Sequence, residues 1–121
     1  MNKHTKRKKG NDFEKELSSD IRAAGLDPKA RRMVLSGGAF GLEGDIFTSL
    51  PIHFEAKRHE TTKFKQWYAQ AQSSASQTKI PVVVWKENDG IPFVFFEWQN
   101  FLALLLYAIK GGLTERLPFH K

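Results

Sequence analysis

Asp45, Glu55 and Lys57 are the residues of this chain whose types and spacing suit catalysis. Asp45 opens the run GDI, and Glu55 and Lys57 lie in HFEAKRH. Within residues 52–58, His53, Glu55 and Lys57 alternate with Ile52, Phe54 and Ala56. A strand has a side-chain period of two, so Glu55 and Lys57 share one face and the apolar residues take the other. A turn through Ser49, Leu50 and Pro51 folds Asp45 back toward Glu55. Two carboxylates supply hard oxygen ligands that hold Mg²⁺ while leaving positions for water and a phosphate oxygen. The Lys57 ammonium then sits beside that phosphate. An E-x-K pair alone is commonly just a solvated, salt-bridged pair. The aspartate ten residues upstream and an acidic residue on a preceding helix make the combination more demanding.

Composition bounds the partners. A chain of 121 residues has room for a single hydrophobic core, and a hydrophobic content of 40% is enough to form it. There is no cysteine, which excludes a disulfide framework, thiolate metal sites and cysteine nucleophiles. His4, His53, His59 and His120 lack zinc-ligand spacing. No apolar run approaches the ~20 residues that span a bilayer. A soluble cytoplasmic protein is expected, associated with nucleoid or viral DNA. The net charge of +6 is unevenly placed: five of the 19 lysines and arginines are Lys3, Lys6, Arg7, Lys8 and Lys9, leaving 14 against 13 acidic residues. Residues 1–10 read as a flexible basic arm that seeks phosphate, residues 11–112 as one domain and residues 113–121 as a tail.

The elements that must position the site follow from periodicity. Asn11 and Glu14 have the form of a capping box, and Phe13, Leu17, Ile21 and Ala24 recur at helical spacing until Gly25, predicting a helix over 12–24. A short strand over 31–35 leads to the glycine-rich segment 36–41, and strands follow over 45–49 and 52–58. Phe64, Trp67, Tyr68, Ala71 and Ala75 make one apolar stripe, predicting a helix within 63–76. Strands are expected over 80–85 and 92–98, joined by a turn-rich loop at 86–90. The last helix, 99–109, is apolar around more of its circumference than a surface helix needs. It lies either centrally in the fold or in a homodimer interface.

This order of elements, with Asp45 on one strand and Glu55-x-Lys57 on the next, resembles the PD-(D/E)xK nuclease superfamily. The nearer resemblance is to archaeal-type Holliday junction resolvases, carried by Lys9-Gly10, Phe13-Glu14-Lys15-Glu16-Leu17, Arg32 and Ser36-Gly37. Gly44 stands where a proline often precedes the aspartate, and the stretch before Asp45 lacks a lysine. The resemblance implies an α/β (α+β) fold with a restriction-endonuclease-like mixed sheet flanked by helices. It implies Glu14, Asp45 and Glu55 as an acidic, metal-binding set and Lys57 as the catalytic lysine. The residue-level reading agrees on the last three; Glu14 also fits the glutamate of a capping box, but it lies beside Ile21 at the edge of the buried face, where it can lean toward the sheet, and the site role is preferred.

The implied activity is a structure-selective endodeoxyribonuclease that resolves four-way junctions in recombination and repair. It would use Mg²⁺, with Mn²⁺ substituting, and act as a homodimer that nicks opposed strands of branched DNA. Expected DNA contacts are Lys6, Arg7, Lys8 and Lys9 in the arm, Arg32, Ser36 at the glycine loop, and Gln70 on the second helix. The alternatives are another PD-(D/E)xK nuclease, branch-cutting or restriction-like, and a noncatalytic DNA-binding module that kept the fold.

Overall fold

In a computed structural model, residues 3–33 and 45–111 are described, with side chains from residue 8 to 33 and from 46 onward. Helix α1 (Lys3–Ala23) leads to β1 (Arg31–Arg32), β2 (Asp45–Phe47) and β3 (Ile52–Arg58). Helix α2 (Phe64–Ser74), β4 (Ile80–Lys86), β5 (Phe93–Phe95) and α3 (Trp98–Lys110) complete the order. The strands form one sheet in sequential order β1-β2-β3-β4-β5. All neighbours are antiparallel except β3 and β4, which run parallel. A parallel pair needs a crossover, and α2 provides it. The mixed five-stranded sheet with helices is the expected α+β architecture.

The alternation along β3 and β4 divides the structure into two cores. Ile46, Phe54, Val82 and Val84 turn toward α1, where they meet Phe13, Leu17 and Ile21. Val83 turns the other way and packs with Trp67 and Ala71 of α2, bordered by Phe64, Tyr68 and Trp85. Val82, Val83 and Val84 are all buried, as expected of a central strand covered on both faces.

Two expectations are corrected. The segment 3–10, expected as a flexible arm, is the first part of α1. Lysine and arginine are good helix formers, no proline intervenes, and the Lys8–Asp12 ion pair at 3.0 Å bridges the turn containing Gly10. Asn11 therefore lies inside the helix and caps nothing. At the other end, Gly25 adopts φ +78°, and Leu26 N donates to Ile21 O while Gly25 N donates to Arg22 O. This is a Schellman ending, and its left-handed position is why glycine stands there.

The last helix is not central. No residue of α3 is buried, although the helix is the most apolar in the chain. The strand expected over 31–35 is described only as Arg31–Arg32, β2 is shorter than 45–49, and β5 is shorter than 92–98. The glycine-rich segment 36–41, including Ser36, and the tail at 113–121 lie outside the described residues.

Candidate functional site

The sheet register builds the site. Asp45 is the direct cross-strand partner of Glu55, and Ile46 is the partner of Phe54. Directly opposed residues point to the same side, with Cβ atoms ~5 Å apart. Asp45 and Glu55 thus share the face turned toward α2, while Ile46 and Phe54 take the α1 face. On the other side of β3, Glu55 pairs with Val83 and Lys57 with Trp85, both on the α2 face.

Glu55 is fully buried, at 0% exposure. Taking a carboxylate out of water costs several kcal/mol (~) unless a cation or hydrogen-bond donors compensate it. Lys57, two residues along the same face, is half-buried, and its Nζ donates to Gln70 Oε1 at 3.0 Å. Gln70 reaches it because Trp67 and Ala71, on the same helix, anchor α2 against Val83. Aromatic packing fixes the rest of that wall: Phe64 meets Trp85 edge-on at 5.5 Å and stacks on Phe95 at 4.9 Å. Burial, with the Glu97 carboxylate adding to it, pushes the Tyr68 phenol up to about 12. Tyr68 is therefore a neutral group at neutral pH.

Glu14 and Arg32 are placed elsewhere. Arg32 is the strand partner of Ile46, which puts its side chain on the α1 face. There Arg32 Nε donates to Glu14 Oε1 at 2.9 Å. Glu14 is 6% exposed, and its ion pair with Arg32 lies across the sheet from the face that Glu55 and Lys57 occupy. Arg32, expected on a DNA phosphate, holds a buried carboxylate in the folded chain. Arg31, on the opposite face, lays its guanidinium over the Phe47 ring at 4.6 Å.

Of the expected basic contacts, Lys6 and Arg7 lie on the first turns of α1, with side chains outside the described part. Lys8 is exposed and held by Asp12, while Lys9 is half-buried. Gln70, expected as a DNA contact, touches Lys57. Asp27 is not among the expected site residues, yet its Oδ2 accepts from Ser49 N at 2.8 Å and its Oδ1 from Lys29 N at 2.9 Å. Those two backbone donors hold its carboxyl below the usual carboxylate range, that from Ser49 most strongly. Asp27 ties the end of α1 to the turn between β2 and β3, and so sets where the Asp45–Glu55 ladder begins. The only signal was an Asp two residues before Lys29, the spacing of an Asx-turn.

A metal would find a two-carboxylate seat here. Among the described residues, no three His, Asp or Glu side chains cluster in a way that could hold an ion. Asp45 and Glu55, opposed across one ladder step, are the two residues that could hold a divalent cation, which takes hard oxygen donors and leaves positions for water and substrate. Among the described residues no helix is long and apolar enough to cross a membrane.

Comparison with known proteins gives one family. The model described as "Phage putative PDDEXK endonuclease" matches residues 5–110, which take in every strand and helix around the site. No curated protein and no solved structure matches.

Proposed function

The chain belongs to this family of phage PDDEXK endonucleases, and we propose that it is a metal-dependent DNA endonuclease that cuts four-way and related branched junctions. The observation that carries the chemistry is the register of Asp45 against Glu55, with Lys57 on the same face and held by Gln70. The preference for branched DNA is supported by the resemblance of the segments around Phe13-Glu14 and Arg32 to archaeal-type junction resolvases.

Hydrolysis of a phosphodiester needs an activated water in line with the leaving oxygen and relief of charge on the pentacoordinate phosphate. Asp45 and Glu55 are the residues that would hold Mg²⁺, which supplies both a more acidic water and charge neutralisation when bound. Lys57 has its ammonium fixed by the Gln70 carbonyl, so it meets the scissile phosphate or its water from a set direction. In that place it orients or deprotonates water, or takes up transition-state charge. Glu14, engaged with Arg32, is left out of the ligand set. Lys3, Lys6, Arg7, Lys8 and Lys9 give the first part of α1 a concentrated positive charge that favours phosphate. A four-way junction has twofold symmetry, so paired nicks in opposed strands call for two copies of the site. The place of action is the cytoplasm, on nucleoid or phage DNA.

The test is incubation of a labelled synthetic four-way junction with the protein, with Mg²⁺ and with chelator, beside Lys57→Ala. Symmetric paired nicks, none with chelator, and binding without cutting by the variant are expected. Linear duplex cut as fast as the junction would reduce the reading to a general nuclease. Mg²⁺-independent binding without any cutting would leave a noncatalytic DNA-binding module.

A further inference from the structure

Helix α3 presents its most apolar side outward. At 100° per residue, Trp98, Phe101, Leu102, Leu105, Leu106 and Ile109 form one stripe, and all six are exposed, from 37% at Leu102 and Leu105 to 66% at Trp98. The half-buried positions are Asn100, Leu104 and Ala108, on the opposite side of the helix. The helix thus rests on the body by a narrow, partly polar edge and turns its broad hydrophobic stripe away. A surface helix driven only by the chain's own core would do the reverse.

We propose that this stripe is the surface through which two copies of the chain pair, α3 against α3 and antiparallel about a twofold axis near the middle of the helix. Three observations select a second copy. Taking ~200 Å² for a large side chain fully in water, the stripe offers roughly 570 Å² per copy, so that two copies would bury about 1,100 Å², above the ~1,000 Å² asked of a specific interface. From Gln99 to Ile109 there is no charged residue, so the stripe meets its own copy without like-charge repulsion, as an isologous contact requires. A bilayer suits it poorly. Thirteen residues are too few to span, and a helix lying on lipid carries lysine and arginine along its polar side, where α3 has Gln99, Asn100 and a single terminal Lys110. The pairing stands whether or not the chain cuts branched DNA, and it would hold two Asp45–Glu55–Lys57 faces in a fixed relation.

The absence of cysteine makes the test direct. The full chain is weighed by light scattering at about 50 µM, above the micromolar limit expected of interfaces this size. A dimer mass is expected for the parent chain and a monomer mass for Leu105→Glu/Leu106→Glu, with the same circular dichroism spectrum. In separate variants, Leu102→Cys and Leu105→Cys are treated with a short bismaleimide and should link to their own copies. Tyr107→Cys, on the far side of the helix, should not link, because two helix diameters of ~10 Å separate it from its twin. A monomeric parent chain overturns the proposal, as does equal cross-linking at residues 105 and 107. So does a monomer in which the Leu105→Cys thiol is shielded, which would mean that the chain's own residues 112–121 cover the stripe. Flotation of a monomer with anionic vesicles would point to lipid and overturn it equally.

Discussion

Arg32→Ala separates a structural role for Arg32 and Glu14 from a role at the DNA. In the folded chain Arg32 Nε donates to Glu14 Oε1 at 2.9 Å, and the two side chains are 25% and 8% exposed. Removing one partner of a buried pair strands the other charge, at a cost of ~3–5 kcal/mol. The exposed quarter of Arg32 lets water reach the pair, which places the expected loss at the low end, about 3 kcal/mol. For a chain of 121 residues this lowers the melting temperature by roughly 10 °C. Arg32→Met combined with Glu14→Leu should recover most of it, since replacing both charges with apolar groups of similar volume is often neutral.

The assay is urea unfolding followed by circular dichroism for the parent, Arg32→Met, Glu14→Leu and the double variant, closed as a thermodynamic cycle, with Arg32→Ala beside them. Binding to a labelled junction is measured on the same samples. A coupling free energy of about 1.5–3 kcal/mol is expected, in the range of hydrogen bonds to charged groups. The reasoning is refuted if Arg32→Ala stays within ~0.5 kcal/mol of the parent while junction affinity collapses, because Arg32 would then serve phosphate and not Glu14. Glu14→Gln extends the test: it should lower stability yet retain Mg²⁺-dependent cutting by the folded fraction. Loss of cutting at full stability would return Glu14 to the metal.

Lys57→Ala should lower the cleavage rate by ~10²–10⁴-fold, the span of a positioned acid–base group, with junction binding retained in a gel-shift titration. Gln70→Ala removes one hydrogen bond worth ~1 kcal/mol, so a roughly five- to tenfold fall in kcat with unchanged KM is expected from steady-state kinetics. The depressed pKa of Asp27 gives stability that is present above its ordinary value of 3.8 and is lost as pH falls through and below that value. Asp27→Asn should therefore flatten the acid limb of a melting-temperature profile while lowering its plateau. Phe13→Ala empties a position 1% exposed between α1 and the sheet, and a loss of ~3–5 kcal/mol is expected in urea unfolding.

How far the sequence could be read depended on whether a local pattern or a distant partner decided the outcome. Residues 52–57 alternate strictly, and β3 runs from Ile52 to Arg58 with Phe54 and Glu55 on the expected faces. The stripe of Phe64, Trp67, Tyr68 and Ala71 likewise predicts the packing of α2. The start of α1 was missed because Asn11 and Glu14 look like a cap, whereas nothing local says that Lys3 to Gly10 continues the helix. The Lys8–Asp12 pair that favours continuation has the same spacing as countless solvent-exposed pairs. The pairing of Arg32 with Glu14 was illegible for another reason: the carboxylate is 18 residues away and on another element. Composition showed that the last helix needed a partner, but only the structure shows that its apolar stripe faces outward.

The two faces of β3 are unequal in what they ask of the chain. On the α1 side, Phe54 enters an apolar layer with Phe13, Leu17 and Ile21, and the charges there, Glu14 and Arg32, satisfy each other. On the α2 side, the same strand carries Glu55 and Lys57 into a layer that contains Val83 and Trp67. A core that needed only stability would place apolar residues at both positions, because bringing charged groups into such a layer costs solvation that apolar side chains do not lose. Gln70 answers Lys57, and Asp45 stands opposite Glu55, so the second face is arranged around charge at a cost to packing. That asymmetry makes a direct comparison: Glu55→Gln, which keeps the shape and removes the charge, should leave the fold about as stable as the parent when metal is absent, while abolishing cleavage. A variant that loses both stability and cleavage would show Glu55 to be a structural carboxylate, held by the protein for its own sake.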